Sequence, residues 1–224
     1  MNKIYNHSFI KIFTSLILCG FPVFVSGQVS SDGSMPQYLI SQFVSGTIRM
    51  KNSQGQTQVM NYNTVTEKIV FIKGGKYYDL INPEMVDTID LEGRKFVPVG
   101  KSFYEVLYAG QTSLYIQNKS SLLPPGKPVG YGGTSQVAST DYLSTVNLDG
   151  VQWNLKLPSD YTVVPRNVYW IRRGIEWFDF TNEKQFLKLF PDKAGVLKEH
   201  IKSDKISFNK PENLAKLMEF YNSL

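Results

Sequence analysis

The sequence holds one cysteine and two histidines among 224 residues. A lone cysteine forms no intramolecular disulfide and no thiolate cage, and two histidines build no cluster of several imidazole ligands. The chain also lacks an apolar run of roughly 20 residues, the length a membrane-spanning helix needs. Its longest such stretch runs from Ile12 to Val25 and is broken by Gly20 and Pro22. Lys3 and Lys11 precede it without any acid, and Val25-Ser26-Gly27 closes it with small residues. A basic start, a short apolar centre and a small-residue end form the pattern of a secretory signal peptide, with cleavage before Gln28. No permanent membrane span is expected. Cys19 sits after Leu18, where a lipid-modified cysteine follows a small residue, and apolar sequence continues beyond it. Cys19 therefore reads as one more apolar residue of the signal core. The mature chain of about 200 residues would carry no cysteine and one histidine, His200, and must fold on a real hydrophobic core. The expected location is outside the cytoplasm, in the periplasm or at the cell surface.

No cluster of like charges stands out either. The formal net charge of +5 falls to +3 once Lys3 and Lys11 are removed. Basic and acidic residues are interspersed, which leaves no stripe for a phosphate backbone, so no nucleic-acid partner is expected. No cofactor is expected. "GYGG", at 130–133, lacks the spacing of a phosphate-binding loop and no helical pattern opens behind it.

What is present is β-rich text with regular turns. After a signal peptide at 1–27 and a polar leader at 28–37, residues 38–122 read as an antiparallel meander. Hairpins fall at "IVFIKGGKYYDL", with Gly74-Gly75 in a primed turn, at "VDTIDLEGRKFVPV" near Gly93, and at "FYEVLYAGQTSLYIQ" near Gly110. Residues 123–140, rich in Pro and Gly, read as a linker or long loop. Over 141–224, hairpins give way to helices. "STVNLDGVQWNLKL" turns at Asp149-Gly150, which sets Val146, Leu148, Val151 and Trp153 on one buried face. "VYWIRRGIEWFDF" is apolar on both faces and is expected to turn at Arg173-Gly174 and lie centrally in a sheet. Beyond Phe180 the apolar period becomes helical. Phe186, Leu187 and Phe190 form one stripe, Val196, Leu197 and Ile201 a second, and Leu214, Leu217, Met218, Tyr221 and Leu224 a third. Asn209 is the expected cap of the last helix, with Pro211 in its first turn and Glu212 three residues after the cap. The fold class is α+β and mainly antiparallel β: a curved sheet, sandwich or half-barrel of hairpins followed by C-terminal helices. Two lobes sharing an interface are expected rather than two independent domains.

The C-terminal text "YWIRRGIEWFDFTNEKQFLKLFPDKAGVLKEHIKSDKISFNKPENLAKLMEFYNSL" resembles a recurrent tail of uncharacterised secreted proteins of Bacteroidetes-type bacteria. Its hairpin, K-x-F-L-K-L-F-P-D-K run, helix, extended I-x-F and closing helix carry the resemblance. "FVSGTIRMKNSQGQTQVMNYNTVTEKIVF", with its N-Y-N, is similar to the opening of the same proteins. The resemblance implies export and a shared fold, and supplies no catalytic residue.

Little enzymatic chemistry remains. His200 lies in "VLKEHIK" on an amphipathic helix, a poor setting for a catalytic base. Paired carboxylates acting on a glycosidic bond are the surviving option, and Glu176 and Asp179 flank Trp177. Strand alternation sets those two acids on opposite faces, which is wrong for joint catalysis; Arg172 and Arg173 lie across the turn, within reach of the acids as ion-pair partners. Trp170, Arg172, Glu176, Trp177 and Asp179 are the candidate ligand contacts. The expected function is a non-enzymatic binding or interaction protein of the cell envelope, its partner an envelope protein or ligand. A carrier of a hydrophobic ligand and a carbohydrate-binding or carbohydrate-active protein are the alternatives. Intact mass of the protein from its native host is expected to match a chain beginning at Gln28, and a diacylated or triacylated Cys19 would refute that.

Overall fold

The computed structural model describes residues 35–224 except 53, 124–126, 130–132 and 136–160. The expected signal peptide, most of the leader and the 144–157 hairpin with Trp153 lie outside these residues. The described chain is an α+β fold dominated by one antiparallel sheet of ten strands that does not close on itself. In chain order its strands are β1 (Val44–Met50), β2 (Gln56–Asn63), β3 (Lys68–Lys73), β4 (Lys76–Asp79), β5 (Val86–Leu91), β6 (Arg94–Val99), β7 (Ser102–Tyr108) and β8 (Thr112–Gln117). Two short pairs follow. β9 (Ser120–Leu123) bonds to β12 (Thr162–Pro165), and β10 (Lys127–Val129) to β11 (Gly133–Ser135), so the stretch expected as a linker contains a ladder. β13 (Val168–Arg173) and β14 (Glu176–Phe180) then rejoin the large sheet, whose order is β14-β13-β8-β7-β6-β5-β1-β2-β3-β4. The C-terminal hairpin thus extends the same sheet through β8.

Most turns follow local chemistry. Gly74 and Gly75 both take positive φ between Lys73 and Lys76, the primed geometry that suits strand twist. The last hairpin differs from expectation in two ways. It lies at one end of the sheet with β14 as the border strand rather than centrally, its apolar inner face being covered by helices, and its turn is shifted by one residue. Arg173 pairs with Glu176, so the loop is Gly174-Ile175. The turn puts its positive φ, 59°, at its first central position, and only glycine adopts that without a Cβ penalty. Ile175 is left at the tip, 91% exposed.

The sheet curls. Ser120 N donates to Thr64 O at 2.8 Å, joining the segment after β8 to the β2–β3 turn although β7, β6, β5 and β1 lie between those strands. Within the curl, Met60, Tyr62, Ile69, Ile89, Leu91 and Phe96 are fully buried, and Tyr62 stacks on Phe96 with ring centroids 5.4 Å apart. Gly46 of β1 faces this interior. A Cβ there would meet Asp90 O at 2.8 Å and Leu91 Cδ1 at 2.9 Å, so the close strand approach requires a residue without a side chain. The N-Y-N motif at 61–63 has a structural role. Asn61 is fully buried, and its amide accepts from Ile40 N (3.2 Å) while donating to Ile40 O (2.7 Å) and Gln42 O (3.0 Å). The segment before β1 is thereby pinned to β2. Asn63 Oδ1 accepts from Val65 N and Thr66 N, closing an Asx-type turn.

Three helices cover the inner face at the other end of the sheet: α1 (Glu183–Lys188), α2 (Ala194–Ser203) and α3 (Pro211–Ser223). Phe186, Phe190, Leu197, Ile201, Leu214, Leu217 and Met218 pack against Leu114, Ile116, Tyr169, Ile171 and Phe180. Val196, expected in that stripe, points outward at 47% exposure, because one helical step from Leu197 turns it about 100° away. Asn182 caps α1 by accepting from Gln185 N at 3.0 Å. The α3 cap is Lys210, not Asn209, and no side chain caps it. Pro211 is the cause: it holds the preceding residue extended and removes the first orphan N–H. At the far end of α3, Asn222 bonds both the N–H and C=O of Thr112 at 3.1 Å, fastening the helix to β8.

Tyr62 offers a test of the inner packing. Its hydroxyl is buried and has no hydrogen-bond partner among the described residues. Burial above all, then the charge of Glu67, the neighbouring Tyr104 and the charge of Glu105, push its phenol well above the ordinary 10. A raised folded pKa means that its contribution to stability is complete below the unfolded value and is lost as pH rises through 10 toward the folded one. Tyr62→Phe is expected to leave stability at neutral pH unchanged or higher by up to ~1–3 kcal/mol, and to flatten the decline above pH 10. Urea denaturation across pH reads both, and a variant clearly weaker at pH 7 would contradict the packing described.

Candidate functional site

The register of the β13–β14 hairpin decides how the candidate residues are grouped. Trp170 opposes Asp179 and Arg172 opposes Trp177, so these four share the sheet face turned away from the helices. Glu176 lies with Phe178 and Phe180 on the helix-covered side, exposed at the hairpin end. The two carboxylates therefore stand on opposite faces, in agreement with the alternation read from the sequence.

Neighbouring strands enlarge the outer group. Trp170 opposes Tyr115 of β8, which opposes Val106 of β7, and Tyr104 lies two residues before Val106. Tyr104 stacks on Trp170 (5.7 Å, 28°) and meets Trp177 edge-on at 6.1 Å, while Tyr115 sits 4.8 Å from Trp177. The tyrosines are 8% and 7% exposed, whereas Trp170 and Trp177 are half-buried, so the indoles roof the phenols and carry the accessible surface. Burial, with Glu67 nearby, raises the Tyr104 phenol above its ordinary value and keeps it protonated.

Hydrogen bonds fix this cluster from one side. Trp170 Nε1 donates to Gln117 Oε1 at 3.1 Å, and Gln117 Nε2 donates to Glu67 Oε2 at 2.5 Å. Lys119 Nζ stands 3.9 Å from the other Glu67 oxygen. The sheet's curl, which brings the β2–β3 turn here, thus orients an indole on the outer face. Arg172 is exposed, with its guanidinium 5.5 Å from the Trp177 ring centroid and its Nε donating to Gly174 O at 2.9 Å. Asp179 is exposed and makes no ion pair among the described residues. The ion pairs that the sequence suggested between Arg172 or Arg173 and the hairpin acids do not form. Arg173 instead lies on the inner side, bonded to Leu189 O at the end of α1 and set against Phe178 (5.3 Å) and Phe190 (4.5 Å). A cation is well placed at a helix C-terminus, so its role is structural.

Tyr104, Tyr115 and Gln117 were missed by sequence reading. "FYEVLY" and "SLYIQ" carry the alternating aromatics, but which face they share with Trp170 depends on pairing between strands separated by about 50 residues. His200 stacks on Phe220 with centroids 3.8 Å apart and lies 3.7 Å from Asp204, a packing position on α2. Two surface clefts lie apart from the outer cluster. One of about 440 Å³ is lined by Gln111, Thr112, Arg173, Lys193, Tyr221 and Asn222, and one of about 490 Å³ by Phe71, Lys73, Lys76 and Tyr78. Among the described residues no three His, Cys, Asp or Glu side chains gather as a metal site, and no helix is long and apolar enough to cross a membrane.

Comparison with protein-family models, with curated proteins and with solved structures finds no match for this chain.

The geometry separates residues that hold the cluster together from residues that only border it. Trp177→Ala is expected to lose about 2 kcal/mol, roughly half the value for a fully buried tryptophan, because the ring is half-exposed yet touches two others. Arg172→Ala and Asp179→Ala are expected to stay within about 0.5 kcal/mol of wild type in urea denaturation.

Proposed function

We propose that the chain is an exported, non-enzymatic binding protein of the cell envelope, and that it takes its ligand on the outer face of β7, β8, β13 and β14. The observation that carries this reading is an outer aromatic cluster that no helix covers among the described residues. The helices spend their apolar stripes on the inner face, and yet Trp170 and Trp177 present half-exposed indoles on the outer one. Large apolar side chains gathered on an exposed sheet, bordered by an accessible cation and an accessible carboxylate, mark a surface meant to be covered.

Export is supported by the character of residues 1–27. Against catalysis stand the opposed faces of Glu176 and Asp179 and the packing role of His200. The carrier reading needs a cavity inside the curl, where Tyr62, Phe96, Met60 and Ile69 are fully buried and Tyr62 stacks on Phe96.

Capture from an envelope fraction of the native host tests the proposal. Immobilised wild type is expected to retain a component that Arg172→Ala/Asp179→Ala, a variant expected to fold normally, retains several-fold less. Equal retention by both would remove the outer face as the binding surface.

A further inference from the structure

We infer that the ligand of the outer face is a neutral oligosaccharide, stacked on Trp170 and Trp177 and hydrogen-bonded by Arg172 and Asp179. The inference rests on the outer face being the binding surface and concerns what that surface recognises.

The charges on the face select the class. One guanidinium and one carboxylate stand exposed beside the indoles, and neither is in an ion pair among the described residues. Together they cancel, so the face offers no net attraction to a polyanion or a polycation. A purely apolar ligand would strip water from both charged groups without giving them partners, which opposes binding. A ligand that suits this face must be uncharged, must present an apolar side to the rings, and must both donate and accept hydrogen bonds at its rim. A saturated sugar ring has those properties. Its C–H face lies flat on an aromatic plate, and its hydroxyls accept from a guanidinium and donate to a carboxylate.

The arrangement of plates argues for more than one sugar. Trp170 and Trp177 lie on adjacent strands at diagonal positions, which places their Cα atoms roughly 7–8 Å apart. Both indoles are held before any ligand arrives: Trp170 by its bond to Gln117 and its stack on Tyr104, Trp177 by Tyr104 and Tyr115. Tyr104 lies 28° from the Trp170 plane and 85° from the Trp177 plane, so the two indoles are steeply inclined to each other, and the Arg172 guanidinium lies over the Trp177 ring. Trp170 is the flat seat and Trp177 with Arg172 an angled second one, which suits a chain that turns between successive rings, and little side-chain freedom is lost on binding. Glu176, on the other side of the sheet, has no part in it.

The test is a titration of the full chain with neutral tetrasaccharides of glucose, of mannose and of xylose, and with an acidic tetragalacturonate, followed by tryptophan fluorescence and calorimetry. At least one neutral tetrasaccharide is expected to bind, its monosaccharide far more weakly. Arg172→Ala and Asp179→Ala are each expected to weaken that binding by about tenfold while the urea midpoint stays put, and Trp177→Phe to weaken it less than Trp177→Ala. Binding of the acidic sugar alone would overturn the inference. So would silence toward every sugar when the Arg172→Ala/Asp179→Ala variant still loses an envelope protein captured by wild type; the outer face would then stand as a protein-binding surface. Silence toward sugars with capture unchanged in that variant would overturn both the inference and the binding face beneath it.

Discussion

A buried carboxylate holds the sheet's two halves together. Glu105 receives Arg94 through two bonds, Nε at 2.8 Å and Nη2 at 2.6 Å, and Asn118 Nδ2 at 2.8 Å. Its strand neighbours show why the position matters. Across β6 it faces Phe96, a member of the cluster inside the curl, and across β8 it faces Ile116, a member of the cluster under the helices. One face of one sheet thus carries two hydrophobic clusters with a polar seam between them. The fork of a guanidinium on a carboxylate is directional in a way that apolar contact is not, so it sets the relation of β6 to β7 where packing alone would tolerate adjustment.

From that division the rest follows. The inner face is consumed twice, once by the curl of β1 to β7 and once by α1 to α3. Near β2, the buried Asn61 amide is occupied by the segment before β1. The outer face at β13 and β14 has no helix over it among the described residues, and the aromatic residues there pack mainly on one another. The relay from Glu67 to Gln117 to Trp170 ties this cluster to the β2–β3 turn, so the orientation of an outer indole depends on how the meander folds back on itself.

Local features were readable and non-local ones were not. The hairpins at Gly74-Gly75, Gly93 and Gly110 were legible because turn chemistry acts over a few residues. Helical periodicity likewise gave Leu214, Leu217 and Met218 as buried, while Leu224, expected in the same stripe, lies past the end of α3 and is exposed. Arg173-Gly174 and Gly174-Ile175 both contain the glycine a primed turn needs, and only the pairing of Arg173 with Glu176 selects the second. The α3 cap falls at Lys210 rather than at the asparagine before it because Pro211 restricts the backbone of its predecessor more strongly than a capping side chain at Asn209 attracts it. The separation of Glu176 from Asp179 was legible from alternation alone. The convergence of Tyr104 and Tyr115 with the tryptophans was not, since it requires the order of strands, which no local pattern encodes.

An unclosed sheet has two borders, here β4 and β14. Each border strand carries backbone donors and acceptors that another chain could extend. β4 is four residues long and begins with a lysine; β14 is five residues long. Alternation gives β14 a second role for its acids. Because Glu176 and Asp179 point to opposite sides, a strand adding to this border meets a carboxylate above and below the sheet. The alternation that separates the two acids thus puts charge on both sides of a border strand, a kind of edge that resists the addition of another strand, beside the outer aromatic cluster.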